Sequence, residues 1–137
     1  MPRRFRPSRH FLLRIAPILL LLAIGLPATS HSALAAACFS TPPTITGSGT
    51  IIGTPGNDVI LGSKYNDTIN GKGGNDLICG GDGNDKIIST GSKGVLWADG
   101  GRGNDDITGL DVATGADDLR GGSGNDKIRG LAGFDVI

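Results

Sequence analysis

The sequence contains no glutamate and only two histidines, His10 and His31, both in its first quarter. After His31 the chain has no imidazole to activate a Ser or Cys nucleophile or to bind zinc, so those centres are excluded. Aspartate pairs act on glycosides in some enzymes, but the chain has too few aromatic residues to line a sugar-binding cleft. The sequence therefore predicts a protein that is not an enzyme.

Aromatic residues make up only 4% of the chain, and four of them lie after residue 37: Phe39, Tyr65, Trp97 and Phe134. About 100 residues follow that point, which is enough for one domain. A conventional globular core is hard to assemble from so few large side chains. A single narrow column of aliphatic side chains is the expected alternative.

The first 37 residues have the layout of a secretory signal peptide. Five arginines precede an apolar run at residues 15–26, and small residues follow at 32–37. This order predicts a signal peptide over residues 1–37, with cleavage after Ala35 or Ala37. A membrane anchor is the alternative, but the run is well short of the roughly 20 residues that span a bilayer. We expect a secreted, extracellular protein, with the periplasm and the cell surface as alternatives.

Acidic residues dominate the rest of the chain. Five of the thirteen basic residues belong to the leader, whereas all thirteen acidic residues are aspartates from Asp58 onward. Eight basic against thirteen acidic side chains leave a net charge of −5 after residue 37. Nucleic acid requires clustered Lys and Arg, so this balance argues against a nucleic-acid partner and favours a cation ligand. No membrane span is expected in the mature chain.

Residues Gly53 to Ile88 consist of four consecutive nine-residue units, GTPGNDVIL, GSKYNDTIN, GKGGNDLIC and GGDGNDKII. Each unit has glycine in first place, Asn-Asp in fifth and sixth place, and isoleucine in eighth place. Self-similarity at a short fixed period is typical of a solenoid, in which each unit packs only on its neighbours.

The residue types within one unit predict a tight turn followed by a short strand. Glycine and asparagine tolerate positive φ, so the first six residues suit a turn. The last three are too few for a helix and are rich in β-branched residues. Alternation along the strand directs the eighth residue inward, and the seventh and ninth, such as Lys86, outward to water.

The turn also predicts a ligand. Its glycines offer little side-chain packing to offset the entropy of ordering, and it concentrates backbone carbonyls and one carboxylate. Hard cations bind six to eight such oxygens, and calcium tolerates irregular geometry better than magnesium does.

The units resemble the haemolysin-type, or RTX, calcium-binding nonapeptide G-G-x-G-x-D-x-U-x. Gly80–Ile88 and residues 121–129 match this pattern at every defined place. The resemblance implies an all-β fold, a parallel β-roll (β-solenoid) of stacked nonapeptide turns and short strands, in which two nonapeptides make one coil. It also implies that calcium lies between stacked turns, held by backbone carbonyls and by the aspartates of units n and n+2.

The segments around the regular units are assigned by the same period. Residues 38–43 are predicted to be a linker, because Pro42 and Pro43 hold the chain extended. Residues 44–52 are in phase but carry Gly49 where the aspartate belongs, which suggests a degenerate N-terminal capping repeat. Residues 53–137 form the predicted calcium-binding roll.

The period is interrupted twice within the predicted roll. Ser89 and Thr90 are expected to be extra residues ahead of one unit, and residues 109–111 ahead of another that lacks leading glycines. The first of these units has Leu96 in the place of the aspartate and Ala98 in the place of the isoleucine. It is predicted to be the weakest coil.

The sixth-place aspartates are the predicted calcium ligands: Asp58, Asp67, Asp76, Asp85, Asp105, Asp117, Asp126 and Asp135. In two alternating columns they form five pairs: Asp67/Asp85, Asp85/Asp105, Asp105/Asp126, Asp58/Asp76 and Asp117/Asp135. Leu96 breaks the second column. The alternative is that these aspartates only cap turns, but stacked carboxylates would then repel one another without compensation.

Two cysteines, Cys38 and Cys79, permit a disulfide between the linker and the outward ninth place of a strand. Two unpaired cysteines are the alternative, and lipidation of Cys38 is a further one.

The sequence as a whole predicts an exported calcium-binding repeat protein whose β-roll folds on binding several calcium ions. RTX proteins generally leave the cell through a C-terminal signal and carry a toxin, protease or lipase domain, whereas this chain has an N-terminal leader. The alternatives are an adhesion or surface-matrix scaffold, and the repeat part of a longer secreted RTX hydrolase or toxin.

Overall fold

The computed structural model describes residues 40–137 of the chain. The predicted signal peptide and Cys38, with the disulfide that the sequence permits but does not require, lie outside the described residues. Residues 40–137 form ten β-strands and contain no helix, hence none that is long and apolar enough to cross a membrane.

The strands are short and follow one another along the whole described chain. They are β1 Ile45–Thr46, β2 Thr50–Ile52, β3 Val59–Leu61, β4 Thr68–Asn70, β5 Gly74–Asp82, β6 Lys86–Ile88, β7 Gly94–Arg102, β8 Asp106–Thr108, β9 Asp118–Ser123 and β10 Lys127–Arg129. The odd-numbered strands form one five-stranded sheet in the order β1-β3-β5-β7-β9, and the even-numbered strands form the other, β10-β8-β6-β4-β2. All pairs are parallel. The predicted all-β parallel β-roll is confirmed.

The register between strands shows that two nonapeptides make one coil. Ile60 pairs with Ile78 and Ile69 with Ile87, so equivalent positions are 18 residues apart. The capping segment contributes a strand to each sheet, because β1 pairs with β3 and β2 pairs with β4.

Strands β5 and β7 are nine residues long, against the three predicted for each unit. Their ladder continues past the strand proper into the turns, where Gly74 pairs with Gly94 and Gly81 with Gly101. Turns of successive coils stack at the same spacing as the strands, so their backbone groups also form sheet hydrogen bonds.

The core is the predicted inward column. The eighth-place residues Ile69, Ile78, Ile87 and Ile107 are fully buried between the two sheets. Leu96, which replaces an aspartate, is also fully buried in this cluster, and so is Leu110 from the second interruption. The core therefore uses apolar side chains that the nonapeptide pattern does not specify.

Both interruptions lie inside turns, which corrects the prediction that they precede whole units. The N–H of Gly109 donates to the carbonyl of Arg129 at 2.8 Å, as that of Gly71 does to Ile88 at 3.0 Å. Gly109 therefore takes the leading place of its unit, and the extra residues follow it. A turn can lengthen without disturbing the strand register, whereas extra residues in a strand would shift every inward side chain.

The outward positions differ between the two sheets. Thr68 and Lys86 on the even-numbered sheet are exposed, as predicted. On the odd-numbered sheet Leu61 and Cys79 are each 2% exposed, although neither belongs to the core cluster. The prediction that Cys79 faces water is therefore wrong.

Candidate metal centre

The stacked turns place the sixth-place aspartates in two ridges, one at each edge of the roll. Ridge 1 consists of the turns that lead from odd- to even-numbered strands and carries Asp67, Asp85, Asp105 and Asp126. Ridge 2 consists of the turns that lead from even- to odd-numbered strands and carries Asp58, Asp76, Asp117 and Asp135, with Leu96 between Asp76 and Asp117.

Backbone hydrogen bonds connect successive turns of ridge 1 through these aspartates. The N–H of Asp67 donates to Oδ1 of Asp85 at 2.8 Å, and the N–H of Asp85 donates to Oδ1 of Asp105 at 2.8 Å. The N–H of Asp105 donates to Oδ1 of Asp126 at 2.9 Å. The three pairs predicted for this ridge are therefore in direct contact.

Ridge 2 has the same arrangement with one interruption. The N–H of Asp58 donates to Oδ1 of Asp76 at 3.1 Å, and the N–H of Asp117 donates to Oδ1 of Asp135 at 3.0 Å. Leu96 donates its N–H to Oδ1 of Asp117 at 2.8 Å but supplies no carboxylate. All five predicted pairs are thus brought together, and Leu96 divides this ridge as expected.

The second carboxylate oxygen has no hydrogen-bond partner in three of the turns. Asp76, Asp85 and Asp105 are at most 2% exposed, and Oδ2 of each is buried without a partner. A buried carboxylate oxygen without a donor or a cation carries a large desolvation cost. The observation favours a bound cation at these positions.

Burial and like charge act together on these carboxyl groups. Burial raises the pKa of Asp85 to about 7; a hydrogen bond from the backbone of Asp67 opposes this shift, and Asp105 and Asp67 add to it. Burial likewise raises the pKa of Asp76 to about 6, against a backbone hydrogen bond from Asp58. The pKa of Asp105 is raised for the same reason. The folded chain without a cation therefore disfavours their ionised forms.

The first-place glycines leave room for oxygen atoms. A Cβ on Gly53 would lie 2.6 Å from the carbonyl oxygen of Gly71 and 2.9 Å from Oδ2 of Asp58. At Gly80 a Cβ would meet Oδ2 of Asp85 and lie 2.6 Å from the carbonyl oxygen of Gly100. A side chain at these places would fill a space lined by one carboxylate and one carbonyl.

The donor set is one that calcium accepts. Across residues 40–137 no group of three or more His, Cys, Asp or Glu side chains is placed to hold a metal. A cation in the ridges would therefore need backbone carbonyls besides the paired aspartates, and calcium combines these two kinds of oxygen ligand.

A family model described as the RTX calcium-binding nonapeptide repeat matches residues 52–87 and 99–137, in four copies. The chain belongs to this family. The resemblance inferred from the sequence is thereby confirmed. The unmatched residues between the two stretches contain Leu96 and the first enlarged turn of the RTX roll. No curated protein and no solved structure significantly matches the chain.

The aspartates outside the sixth place have other surroundings. Asp106 forms an ion pair with Arg129 at 2.9 Å, and Asp118 forms one with Arg120 at 3.1 Å. Asp111 is exposed, and Asp82 and Asp99 are half-buried. None of these five residues is a sixth-place aspartate, although Asp82 and Asp111 lie in turns of the ridges.

Sequence reasoning missed the residue in second place of each turn. Thr54 and Ser63 occupy this place, and each donates its backbone N–H to Oδ2 of its own aspartate, Asp58 or Asp67, at 2.7 Å. The hydroxyl of each lies 3.0 Å from the same oxygen. The sequence contained an indication of this role, because these two units have Thr or Ser where the RTX pattern has its second glycine.

Proposed function

We propose that this protein is an exported calcium-binding module whose β-roll folds when it binds several calcium ions. The observation that carries the proposal is the set of buried carboxylate oxygens without partners, at Asp76 on ridge 2 and at Asp85 and Asp105 on ridge 1. The proposed ligands are the eight sixth-place aspartates of the two ridges together with backbone carbonyls of the same turns. RTX repeats are typical of exported proteins, which agrees with the signal peptide predicted for residues 1–37.

The coupling between binding and folding follows from charge. Folding brings like carboxylates into successive turns, and the chain after residue 37 already carries a net charge of −5. Bound calcium supplies the positive charge that these carboxylates lack. Because the sites form only when turns stack, the ion binds the folded state and stabilises it by mass action. Extracellular modules bind calcium at roughly 10⁻⁴ to 10⁻³ M, so we expect folding outside the cell rather than inside.

Far-UV circular dichroism of the chain during a calcium titration tests the proposal, with magnesium as the control ion. We expect a cooperative increase in β-sheet signal with calcium only. A chain already folded in chelator, with a spectrum that calcium does not change, would contradict the proposal. That result would favour the surface-matrix scaffold, in which the aspartates serve only the turns.

A pair of variants tests the proposed ligands. Asp85→Asn should weaken the two sites that Asp85 shares with Asp67 and Asp105, and so lower the calcium stoichiometry measured by calorimetry. Asp111→Asn removes an equal charge at an exposed position that is not a sixth-place aspartate, and it should leave the stoichiometry unchanged. Equal effects of the two substitutions would show that only net charge matters.

A further inference from the structure

The turns of the two ridges fall into two conformations, distinguished by the φ angle of the residue in second place. Where φ is positive, as at Lys72 (71°), Gly81 (116°) and Gly101 (101°), Oδ2 of the aspartate in the same turn has no partner. We call these the open turns. Their aspartates are the buried Asp76, Asp85 and Asp105. Gly122 (95°) and Leu131 (69°) also have positive φ in second place, but the aspartates of their turns, Asp126 and Asp135, are only half-buried.

The other conformation has a second-place residue outside the positive-φ region. Thr54, Ser63 and Leu110 each donate their backbone N–H to Oδ2 of the aspartate in the same turn, at 2.7 Å. We call these the closed turns. Their aspartates are Asp58, Asp67 and Asp117, and each Oδ2 already has a donor inside the protein.

The open turns differ among themselves in the oxygens next to Oδ2. At Gly80 and Gly100 a Cβ would meet both the Oδ2 of its own turn and the carbonyl oxygen of the glycine one coil further. At Gly71 the nearest atoms are those of Asp76 and a methyl carbon of Ile78, and no carbonyl is among them. The turns of Asp85 and Asp105 are therefore the two that combine a free, buried carboxylate oxygen with a neighbouring carbonyl.

From this geometry, and given that the ridges bind calcium, we propose that the chain has two classes of calcium site. The turns of Asp85 and Asp105 on ridge 1 form the high-affinity class, which is occupied first. In the closed turns a backbone N–H competes with the cation for Oδ2, so Asp58, Asp67 and Asp117 belong to a low-affinity class. Thr54, Ser63 and Leu110 are the residues that set this difference.

The physical reason is the position of one N–H group. A hydrogen bond from a backbone N–H to a carboxylate is charge-assisted, and a cation that takes the same oxygen must displace it. Positive φ turns the second-place N–H away from the carboxylate. Glycine adopts this conformation readily, whereas Thr and Ser do not.

Ser63→Gly tests this assignment, because it removes the hydroxyl and places a glycine in second place of the Asp67 turn. The Asp85 turn has glycine, Gly81, in the same place. Calcium affinities of the full chain are measured by calorimetry, with Ser123→Gly as the control. Ser123 is an exposed third-place residue of another ridge 1 turn, so it matches the loss of a side chain and the gain of a glycine. We expect Ser63→Gly to strengthen the weakest calcium-binding step by about three- to tenfold, and Ser123→Gly to leave it unchanged.

A titration followed by ¹H–¹⁵N NMR tests the order of occupancy. Amide signals of residues 80–85 and 100–105 should reach their calcium-bound positions at lower calcium than those of Thr54 and Ser63. Simultaneous saturation of all turns, or weaker binding by Ser63→Gly, would overturn the two-class assignment while leaving calcium binding itself in place. A wild-type chain that binds no calcium would instead overturn the proposed function.

Discussion

At the scale of single residues, the turns are governed by what stands next to each sixth-place carboxylate. The first-place glycine leaves space for oxygen atoms, and the second-place residue decides whether Oδ2 has a donor. A change of one side chain at either place alters the ligand set without touching an aspartate. The most specific tests of the calcium site are therefore substitutions of its neighbours.

Gly80→Ala should disrupt the calcium site of its turn. The added Cβ would meet Oδ2 of Asp85 and lie 2.6 Å from the carbonyl oxygen of Gly100, so both oxygens would have to move. Overpacking of this kind costs about 1–3 kcal/mol of stability. We also expect folding to require a higher calcium concentration, that is, a higher calcium midpoint. Calcium-dependent circular dichroism provides the measurement.

Gly56→Ala is the matched control for this substitution. The nearest atom to a Cβ on Gly56 is the hydroxyl oxygen of Thr54 at 3.6 Å, and Gly56 is not a positive-φ glycine. Its calcium midpoint should equal that of the wild type. Equal losses in the two alanine variants would show that glycine flexibility, rather than the oxygen-lined space, determines the effect.

At the scale of strands, alternation decides which side chains make the core. The eighth place of each unit directs its side chain inward, and five isoleucines in this place are fully buried between the sheets: Ile60, Ile69, Ile78, Ile87 and Ile107. Because the strands are too short to be stable alone, the stacked column of inward side chains holds successive coils together. The coil at Ala98 has a small inward residue, and Leu96 adds apolar volume from the preceding turn.

Ile87→Ala should destabilise the calcium-loaded roll by about 2–5 kcal/mol, because Ile87 is 0% exposed and its removal leaves a cavity. Ile88→Ala removes the same number of atoms from the neighbouring half-buried, outward position and should cost clearly less. Urea unfolding at one saturating calcium concentration compares the two. A larger loss from Ile88→Ala would mean that the outward face, not the inward column, carries the stability.

At the scale of the whole molecule, the roll is an array of like charges held in register. The pKa values of Asp85, about 7, and of Asp76, about 6, lie above the ordinary 3.8 of an aspartate. The folded chain without calcium therefore binds protons more tightly than the unfolded chain does. Calcium, by contrast, requires the ionised carboxylates. Protons and calcium are expected to act as alternative partners of the same fold.

This competition predicts opposite pH dependences with and without calcium. In chelator, lowering the pH from 8 towards 5 should stabilise the folded state. Carboxyl groups whose pKa is raised in the folded chain take up protons in this range, whereas the unfolded chain binds them only near pH 3.8. In calcium, the same change should raise the calcium concentration needed for folding. Circular dichroism at several pH values measures both. A β-sheet signal that decreases when the pH is lowered in chelator would contradict the raised pKa values of the buried carboxyl groups.

Part of this fold could be predicted from local sequence alone. The nine-residue spacing of glycine, Asn-Asp and isoleucine predicts the turn, the strand and the inward column, because the conformational preference of each residue acts within one unit. The two-column pairing of the aspartates was predicted with the help of the RTX resemblance, and the hydrogen bonds from Asp67 to Asp85 and from Asp85 to Asp105 show the pairs in contact. Which of these aspartates bind calcium remains a proposal.

The remaining features were decided by contacts between residues about 18 to 21 positions apart, which no single unit contains. Gly109 became the leading glycine of its turn because the strand register had to be kept, and Leu110 entered the core as a result. Leu61 and Cys79 are buried on an outward face that alternation assigns to water. The sequence by itself determined the repeating coil, since turn and strand propensities are local. Only the tertiary structure decided where extra residues lie and which carboxylate oxygens stay free, since both depend on how one coil stacks on the next.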